Sequence, residues 1–109
     1  MDAADTWTQS LAQLTSLSTD IERAALVDSH GAVLAATSVA DGERLAKAVS
    51  ELFSAAPAGV SQVEVDLAAG SLFAVRDGER LAVVTTSPEP ASALVLHDLR
   101  MTLRQVSDA

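Results

Sequence analysis

Residues 23–37 read RAALVDSHGAVLAAT, and this stretch decides the fold. Two runs of small apolar residues, 23–28 and 32–37, flank the polar tripeptide Ser29-His30-Gly31. A glycine at this position suits a turn that needs positive φ, and the pattern predicts a β-hairpin. We therefore expect a sheet built from antiparallel pairs.

A second hairpin is predicted further along the chain. Residues 71–76 and 80–86 are apolar at most positions and flank Asp77-Gly78, a strong signal for a two-residue turn. Strands with apolar residues on both faces are typical of the middle of a sheet. These two strands are therefore expected to be central.

The strand predicted just before this hairpin has a different pattern. Val63, Val65 and Leu67 alternate with the polar residues Gln62, Glu64 and Asp66. Strict alternation predicts a strand that is solvated on one face and lies at a sheet edge. The two carboxylates are interpreted as solvated side chains, since alternate positions on a wet face need no catalytic reason to be acidic.

Three helices are predicted around the five strands. The first begins at a capping box formed by Thr6 and Gln9. The second begins at Ser38 and Asp41 and stops at Pro57 and Gly59, and the third opens at Ser87 with Pro88 and Pro90 in its first turn. The residues expected to be buried on these helices are Trp7, Leu11, Leu14 and Leu17, then Leu45, Val49, Leu52, Phe53 and Ala56, then Leu96, Leu99, Leu103 and Val106.

The predicted fold is a single α/β sandwich over residues 1–109, in the order α-β-β-α-β-β-β-α, with a five-stranded, mostly antiparallel sheet. If the terminal helices share one face, the middle helix alone covers the other. One helix is about 10 Å wide and five strands span roughly 24 Å, so that face is left half bare. A second copy is expected to complete it and to close the wet strand against its twin.

The residues expected at this homodimer interface lie on the middle helix and the edge strand. Two rows of the helix are candidates for the seam, and the sequence leaves the choice open. One row, of small residues suited to close approach, contains Arg44, Ala48, Leu52 and Ala55; the bulkier one contains Ala46, Val49 and Phe53. The full predicted interface is Arg44, Leu45, Ala48, Val49, Leu52, Phe53, Ala55, Val63 and Val65.

Composition excludes several partners and chemistries. Apolar residues make up 49% and charged residues 20%, which disfavours disorder. The net charge of −8 disfavours nucleic acid and anionic membranes, and no apolar run is long enough to insert in a bilayer. No cysteine is present, and no signal peptide is evident, so we expect a cytoplasmic protein. Six arginines against one lysine, with abundant alanine, suggest a bacterium of high GC content.

No group of residues forms a recognisable catalytic, cofactor or metal site. The five glycines are too far apart for a phosphate-binding loop. Asp28, Ser29 and His30 are consecutive turn residues and cannot line up as a triad. His97 lies at helical spacing from two arginines, 100 and 104, which indicates an exposed face. No enzyme activity, cofactor or metal is expected.

Two arginines near the second hairpin suggest one further hypothesis. Arg76 and Arg80 flank the predicted Asp77-Gly78 turn, and either could act as an arginine finger toward a nucleotide held by another protein. Charged residues are ordinary at the ends of a hairpin, and we favour that interpretation.

The segment from Ala24 to Ala36, with its Asp28-x-x-Gly31 turn, resembles the Roadblock domain family. The helix that follows, the strand from Phe73 to Arg76, the Asp-Gly turn and the proline-started helix extend the resemblance to Val106. The resemblance implies a profilin-like fold and a homodimer with a continuous sheet and paired middle helices.

The resemblance also implies a function. Roadblock proteins in bacteria are commonly partners of small Ras-like GTPases, as activators, adaptors or regulators, and they share no catalytic residue. We therefore expect a regulatory adaptor that binds such a GTPase. The alternatives are a scaffold of the same fold without a GTPase partner, and a profilin-like or PAS-like ligand sensor.

Overall fold

A computed structural model describes residues 3–107 of the chain, and side chains from residue 6 to residue 106. The elements follow the predicted order: α1 (Ala3–Leu17), β1 (Ile21–Asp28), β2 (Val33–Ala36), α2 (Val39–Ala55), β3 (Gln62–Leu67), β4 (Gly70–Asp77), β5 (Arg80–Thr86) and α3 (Ser92–Ser107). The predicted fold class, an α/β sandwich in the order α-β-β-α-β-β-β-α with a five-stranded sheet, is confirmed.

The five strands form one sheet in the order β2-β1-β5-β4-β3, and every neighbouring pair is antiparallel. β4 and β5 lie inside the sheet, as their apolar sequences predict, and β3 lies at an edge. The two-residue turn between β4 and β5 is Gly78-Glu79 rather than Asp77-Gly78, because Asp77 pairs with Arg80. Gly78 takes a φ of 62°, which glycine adopts without a steric penalty.

α1 and α3 pack side by side on one face of the sheet, which we call the closed face. Phe73 and Val84 project from the middle of the sheet into this layer, and Leu99 and Leu103 meet them from α3. All four side chains are fully buried. The closed face therefore holds a complete hydrophobic core.

α2 lies alone on the opposite face. It begins at Ser38, whose hydroxyl accepts a hydrogen bond from the Asp41 amide at 3.0 Å, so the predicted start is confirmed. Gly42 sits so close to β2 that an added Cβ would lie 3.0 Å from the Ala36 Cβ. The helix ends at Ala55, just before the predicted stop at Pro57.

The predicted start of α1 is wrong. The helix extends back to Ala3, so Thr6 and Gln9 lie inside it. Alanines 3 and 4 have the highest helix propensity of any residue type, which favours this upstream extension. Leu17, predicted to be buried, is 72% exposed at the last position of the helix.

The predicted start of α3 is also wrong. Pro88 and Pro90 precede the helix, which begins at Ser92. Residues 87 and 89 precede prolines and are disfavoured in the helical region, and Glu89 takes a positive φ of 56°, so the chain is not yet helical at this point. Val95 is buried where Leu96 was expected to be, and Leu96 is only partly buried.

Candidate protein-interaction face

α2 covers only part of its side of the sheet. It packs against β2, β1 and β5, and the part of the sheet toward β3 has no helix above it. Apolar side chains on this part are left half-buried or exposed. We call this surface the open face, formed by Ala48, Leu52, Phe53, Val63, Val65 and Leu67.

The orientation of β3 follows from its register with β4. Val63 pairs with Ala74 and Val65 pairs with Leu72, and both partners belong to the core beneath α2. Valines 63 and 65 therefore point toward the α2 side, where they are only partly buried. Leu67, at the end of the strand, is 46% exposed. An apolar strip thus runs along one edge of the sheet.

The two candidate rows of α2 differ in exposure. Leu45, Val49 and Ala46 lie in the chain's own core, with 5%, 0% and 8% exposure, so they have almost no surface for a partner. Arg44 and Ala55 are exposed, and Ala48 and Leu52 are partly buried. Leu45 and Val49 already fill the space between α2 and the sheet, so the exposed surface of the helix is provided by its other row.

Arg76 closes one end of the open face. Its guanidinium lies 4.8 Å from the centroid of the Phe53 ring, and its Nη2 donates a hydrogen bond to the Val60 carbonyl at 2.6 Å. The Arg76 amide also donates to the Ser61 carbonyl at 2.7 Å. Arg76 therefore fastens the loop after α2 to β4, which is not the arrangement of a mobile arginine finger.

Arg80 has a similar local role on the closed side. Its guanidinium lies 6.0 Å from the Trp7 ring centroid, at the far limit of a cation–π contact. Neither of the two arginines proposed as a finger extends freely into solvent, because each contacts an aromatic ring of its own chain.

A small cleft opens beside Arg76, between α2 and the turns at the end of the sheet. Its volume is about 210 Å³, and its lining includes Val27, Val49, Phe53 and Leu81, with Asp28 and Glu79 among the polar lining residues. Sites for free small molecules usually measure about 300–1,000 Å³. This cleft therefore suits one apolar side chain of a protein partner better than a sensed metabolite.

Charge is distributed unevenly between the two sides of the molecule. Four basic and three acidic side chains lie on α2 or contact it: Arg23, Arg44, Lys47, Arg76, Asp41, Glu43 and Glu51. The other described side chains include three basic and nine acidic residues. Charge on α2 itself is thus nearly balanced, whereas the rest of the described chain, including Glu64 and Asp66 on β3, is acidic.

The turn between β1 and β2 is organised by Asp28 and is not a catalytic triad. Asp28 Oδ1 accepts hydrogen bonds from the amides of His30 and Ala32 at 2.8 and 2.9 Å. The Ala32 hydrogen bond is the main reason that the pKa of Asp28 lies below its usual value. The carboxylate therefore stabilises the turn.

Other candidate chemistry is scattered in the described part of the chain. His97, Arg100 and Arg104 are exposed on α3, as their spacing predicts. No three histidine or acidic side chains converge in a way that could hold a metal among the residues described. No helix within residues 3–107 is long and apolar enough to cross a membrane.

Two features of this face could not be found from the sequence. Arg23 Nε lies 3.5 Å from Asp41 Oδ1, an ion pair that joins β1 to the first turn of α2. Leu67 and Val39, which is 81% exposed, add apolar surface near opposite edges of the sheet. Exposed apolar residues at element ends are indistinguishable in sequence from buried ones.

The fold has close counterparts among solved structures. A Roadblock/LC7 domain from Streptomyces avermitilis matches with a TM-score of 0.83 and 18% identity, over 93% of this chain and 94% of that one. MglB from Myxococcus xanthus matches with a TM-score of 0.79 and 17% identity, over 94% and 92%. No family model and no curated protein matches the sequence.

A more distant match identifies the wider class. A chain of the LokiProfilin2/rabbit actin complex aligns with a TM-score of 0.65 and 11% identity, over 90% of this chain and 92% of that one. The protein therefore has a profilin-like α/β sandwich. Within that class it has the Roadblock/LC7 fold that MglB also has, which confirms the resemblance at the level of the fold.

Proposed function

We propose that the protein is a non-enzymatic regulatory adaptor that forms a homodimer through the open face and binds a small Ras-like GTPase, whose nucleotide cycle or localisation it modulates in the bacterial cytoplasm. The observation that carries the proposal is the incomplete cover of the sheet by α2. An apolar strip beside a lone helix is what a second copy would cover.

The dimer follows from the geometry of the two elements at the strip. A second copy related by a twofold axis sets its α2 beside the first one and its β3 beside β3, so both apolar strips become buried together. Leu52, Val63 and Val65 then lie at the centre, with Ala48 and Ala55 small enough for close helix approach. Arg44 lies at the solvated rim.

The GTPase partner rests on the Roadblock resemblance and on the chemistry that this chain lacks. The described side chains offer no workable nucleophile and base, and the sequence has no phosphate-binding loop. Any nucleotide chemistry would therefore belong to the partner. The paired α2 helices offer one composite surface with nearly balanced charge, which does not repel an acidic partner as the rest of the molecule would.

The experiment titrates the small GTPase encoded nearest to this gene, loaded with a GTP analogue or with GDP, against wild type and Leu52→Asp. Leu52 is half-buried, so an aspartate there reaches solvent in the monomer and is buried only in the dimer. We expect light scattering to give twice 11.2 kDa for wild type and 11.2 kDa for the variant. His97→Ala, on the opposite side of the molecule, is the control.

The outcomes separate the proposal from its alternative. Binding that depends on the nucleotide state and is lost in the folded monomeric variant supports a GTPase regulator with a composite surface. If both nucleotide states of the GTPase bind equally well, or if neither binds, the result would favour the alternative, a scaffold of the same fold. A wild-type protein that stays monomeric at micromolar concentration would remove the dimer itself.

A further inference from the structure

β3 presents two chemically different rows at the open edge of the sheet. Valines 63 and 65 project toward the α2 side, as described above. Glu64 and Asp66 pair with Phe73 and Ser71, so they project to the opposite side, where Phe73 is part of the closed-face core. Both carboxylates are exposed. The edge is apolar on one side and acidic on the other.

Among the described side chains, no cation offsets the acidic row. Its contacts are neutral hydroxyls: Ser92 Oγ donates to Glu64 Oε2 at 3.4 Å, and Ser71 Oγ donates to Asp66 Oδ1 at 3.5 Å. The ion pair between Arg23 and Asp41, the one present among the described side chains, lies on the other side of the sheet. The negative charge of the row is therefore available to an incoming strand.

Twofold symmetry forces this row to meet itself. When two β3 strands pair antiparallel with both apolar strips on one side, residues 62, 64 and 66 of one copy oppose residues of the same row in the other. If Glu64 faces its twin, or faces Asp66, two acidic side chains are directly opposite, with their Cβ atoms about 5 Å apart. If Glu64 faces Gln62, the two Glu64 side chains are diagonal neighbours about 7–8 Å apart. Every one of these registers brings like charges together.

We infer that the β3 edge selects its partner by charge: it penalises pairing with a second copy and favours an edge strand that is apolar on one side and carries lysine or arginine opposite Glu64 and Asp66. The inference rests on the proposed dimer, whose seam it concerns. Like charges directly opposite destabilise a strand pair and opposite charges stabilise it, and the twofold axis repeats every pair that joins two different residues. We expect about a tenfold change in dimer affinity for removing the repulsion.

The same physics makes self-association depend on salt. Acidic side chains on opposed residues, whose Cβ atoms are about 5 Å apart, interact within the Debye length of roughly 10 Å at 0.1 M salt and are largely screened at 1 M, where that length is roughly 3 Å. The homodimer should therefore tighten as salt is added, whereas a pair of oppositely charged edges should weaken. Opposite trends with salt distinguish charge selection from a general effect of salt on apolar burial.

The test mixes differently labelled wild type and Glu64→Lys/Asp66→Lys and measures the fraction of mixed dimer by native mass spectrometry. Without charge selection, mixed dimers make up one half of the total. We expect about 90% or more at low salt, returning toward one half at 1 M sodium chloride. Glu22→Lys/Asp98→Lys, which makes the same charge change on β1 and α3, away from β3 and the open face, should stay near one half.

A second variant guards against misfolding of the charge reversal. Glu64→Gln/Asp66→Asn keeps the shape of both side chains, and it should tighten the homodimer about tenfold relative to wild type. If dimers form but wild type and variant mix statistically, the charge selection is contradicted and the proposed dimer is not. Absence of any dimer in the neutral variant at 1 M salt would overturn the dimer itself.

Discussion

The two faces of the sheet differ in how completely they are covered, although both are apolar. Two helices cover the closed face, and its central residues Phe73, Leu99 and Leu103 have no exposed surface. One helix covers the other face, and Leu52, Phe53 and Val65 remain half-buried around a core that ends at Leu72. The closed face therefore stabilises the chain by itself, whereas the open face still has apolar area to bury against a partner.

The largest expected effect of a single substitution is on the closed face. Phe73→Ala removes a fully buried ring from the middle of the sheet and should lower the free energy of unfolding by about 3–5 kcal/mol. Urea denaturation of the variant measures this directly.

The matched control on the open face is Phe53→Ala. Its ring is half-buried and contacts the Arg76 guanidinium, so the loss of monomer stability should be at most about half that of the Phe73 variant. Equal losses for the two variants would mean that the faces do not differ as described.

An intermediate effect is expected where the open face meets the loop after α2. Arg76→Ala removes a charged donor to the Val60 carbonyl and the contact with Phe53, and it should cost about 1–2 kcal/mol in urea denaturation. Proteolysis should accelerate at residues 57–61, because this loop loses the side-chain hydrogen bond to Val60 and keeps only the backbone one at Ser61.

Arg80→Ala is the control for this substitution. Its contact with Trp7 is longer, at 6.0 Å, so the change should stay within about 0.5 kcal/mol. A larger loss for Arg80 than for Arg76 would show that the closed side depends on its cation–π contact more than the loop depends on Arg76.

The difference between the faces also explains which parts of the fold the sequence predicts. Alternation in β3 and continuous apolar runs in β4 and β5 report exposure on each side of a strand, so edge and centre were assigned correctly. The starts of α1 and α3 were misplaced because alanine at residues 3 and 4 extends a helix without any cap, and Pro88 and Pro90 fit either inside a first turn or before it.

For a related reason, the sequence does not tell which apolar residues of α2 are left for a partner. Periodicity gives the apolar stripe of α2 but cannot divide it between the chain's own sheet and a partner. Leu45 and Val49 were assigned to both, and only the position of the helix over β1, β2 and β5 shows that they are already buried. The contact of Arg76 with Phe53 joins β4 to α2, a proximity that no local pattern encodes.

The smallest expected effect is on the pH dependence of stability at the start of α2. Asp41 stands in its first turn, and the hydrogen bond from Thr37 Oγ1 at 2.7 Å is the main cause that holds the pKa of Asp41 below its usual value near 3.8, with Ser38 and Arg23 acting in the same direction. A carboxyl whose pKa is lower in the folded state stabilises the protein above the pKa of the unfolded state, and this stabilisation is lost as pH falls through the folded value. Asp41→Asn should therefore unfold more readily than wild type at neutral pH, and the difference should shrink as pH falls below about 4.

Asp28→Asn is the comparison, because the pKa of Asp28 is also lowered, mainly by the Ala32 amide, at a turn remote from the start of α2. In thermal melts from pH 7 to pH 3, the stability difference between wild type and each single variant should shrink in the same way as pH falls. The loss of stability in the double variant should equal the sum of the two single losses, since the two carboxylates share no partner. A gap between wild type and Asp41→Asn that stayed constant with pH would show that the ionisation of Asp41 does not stabilise the folded state.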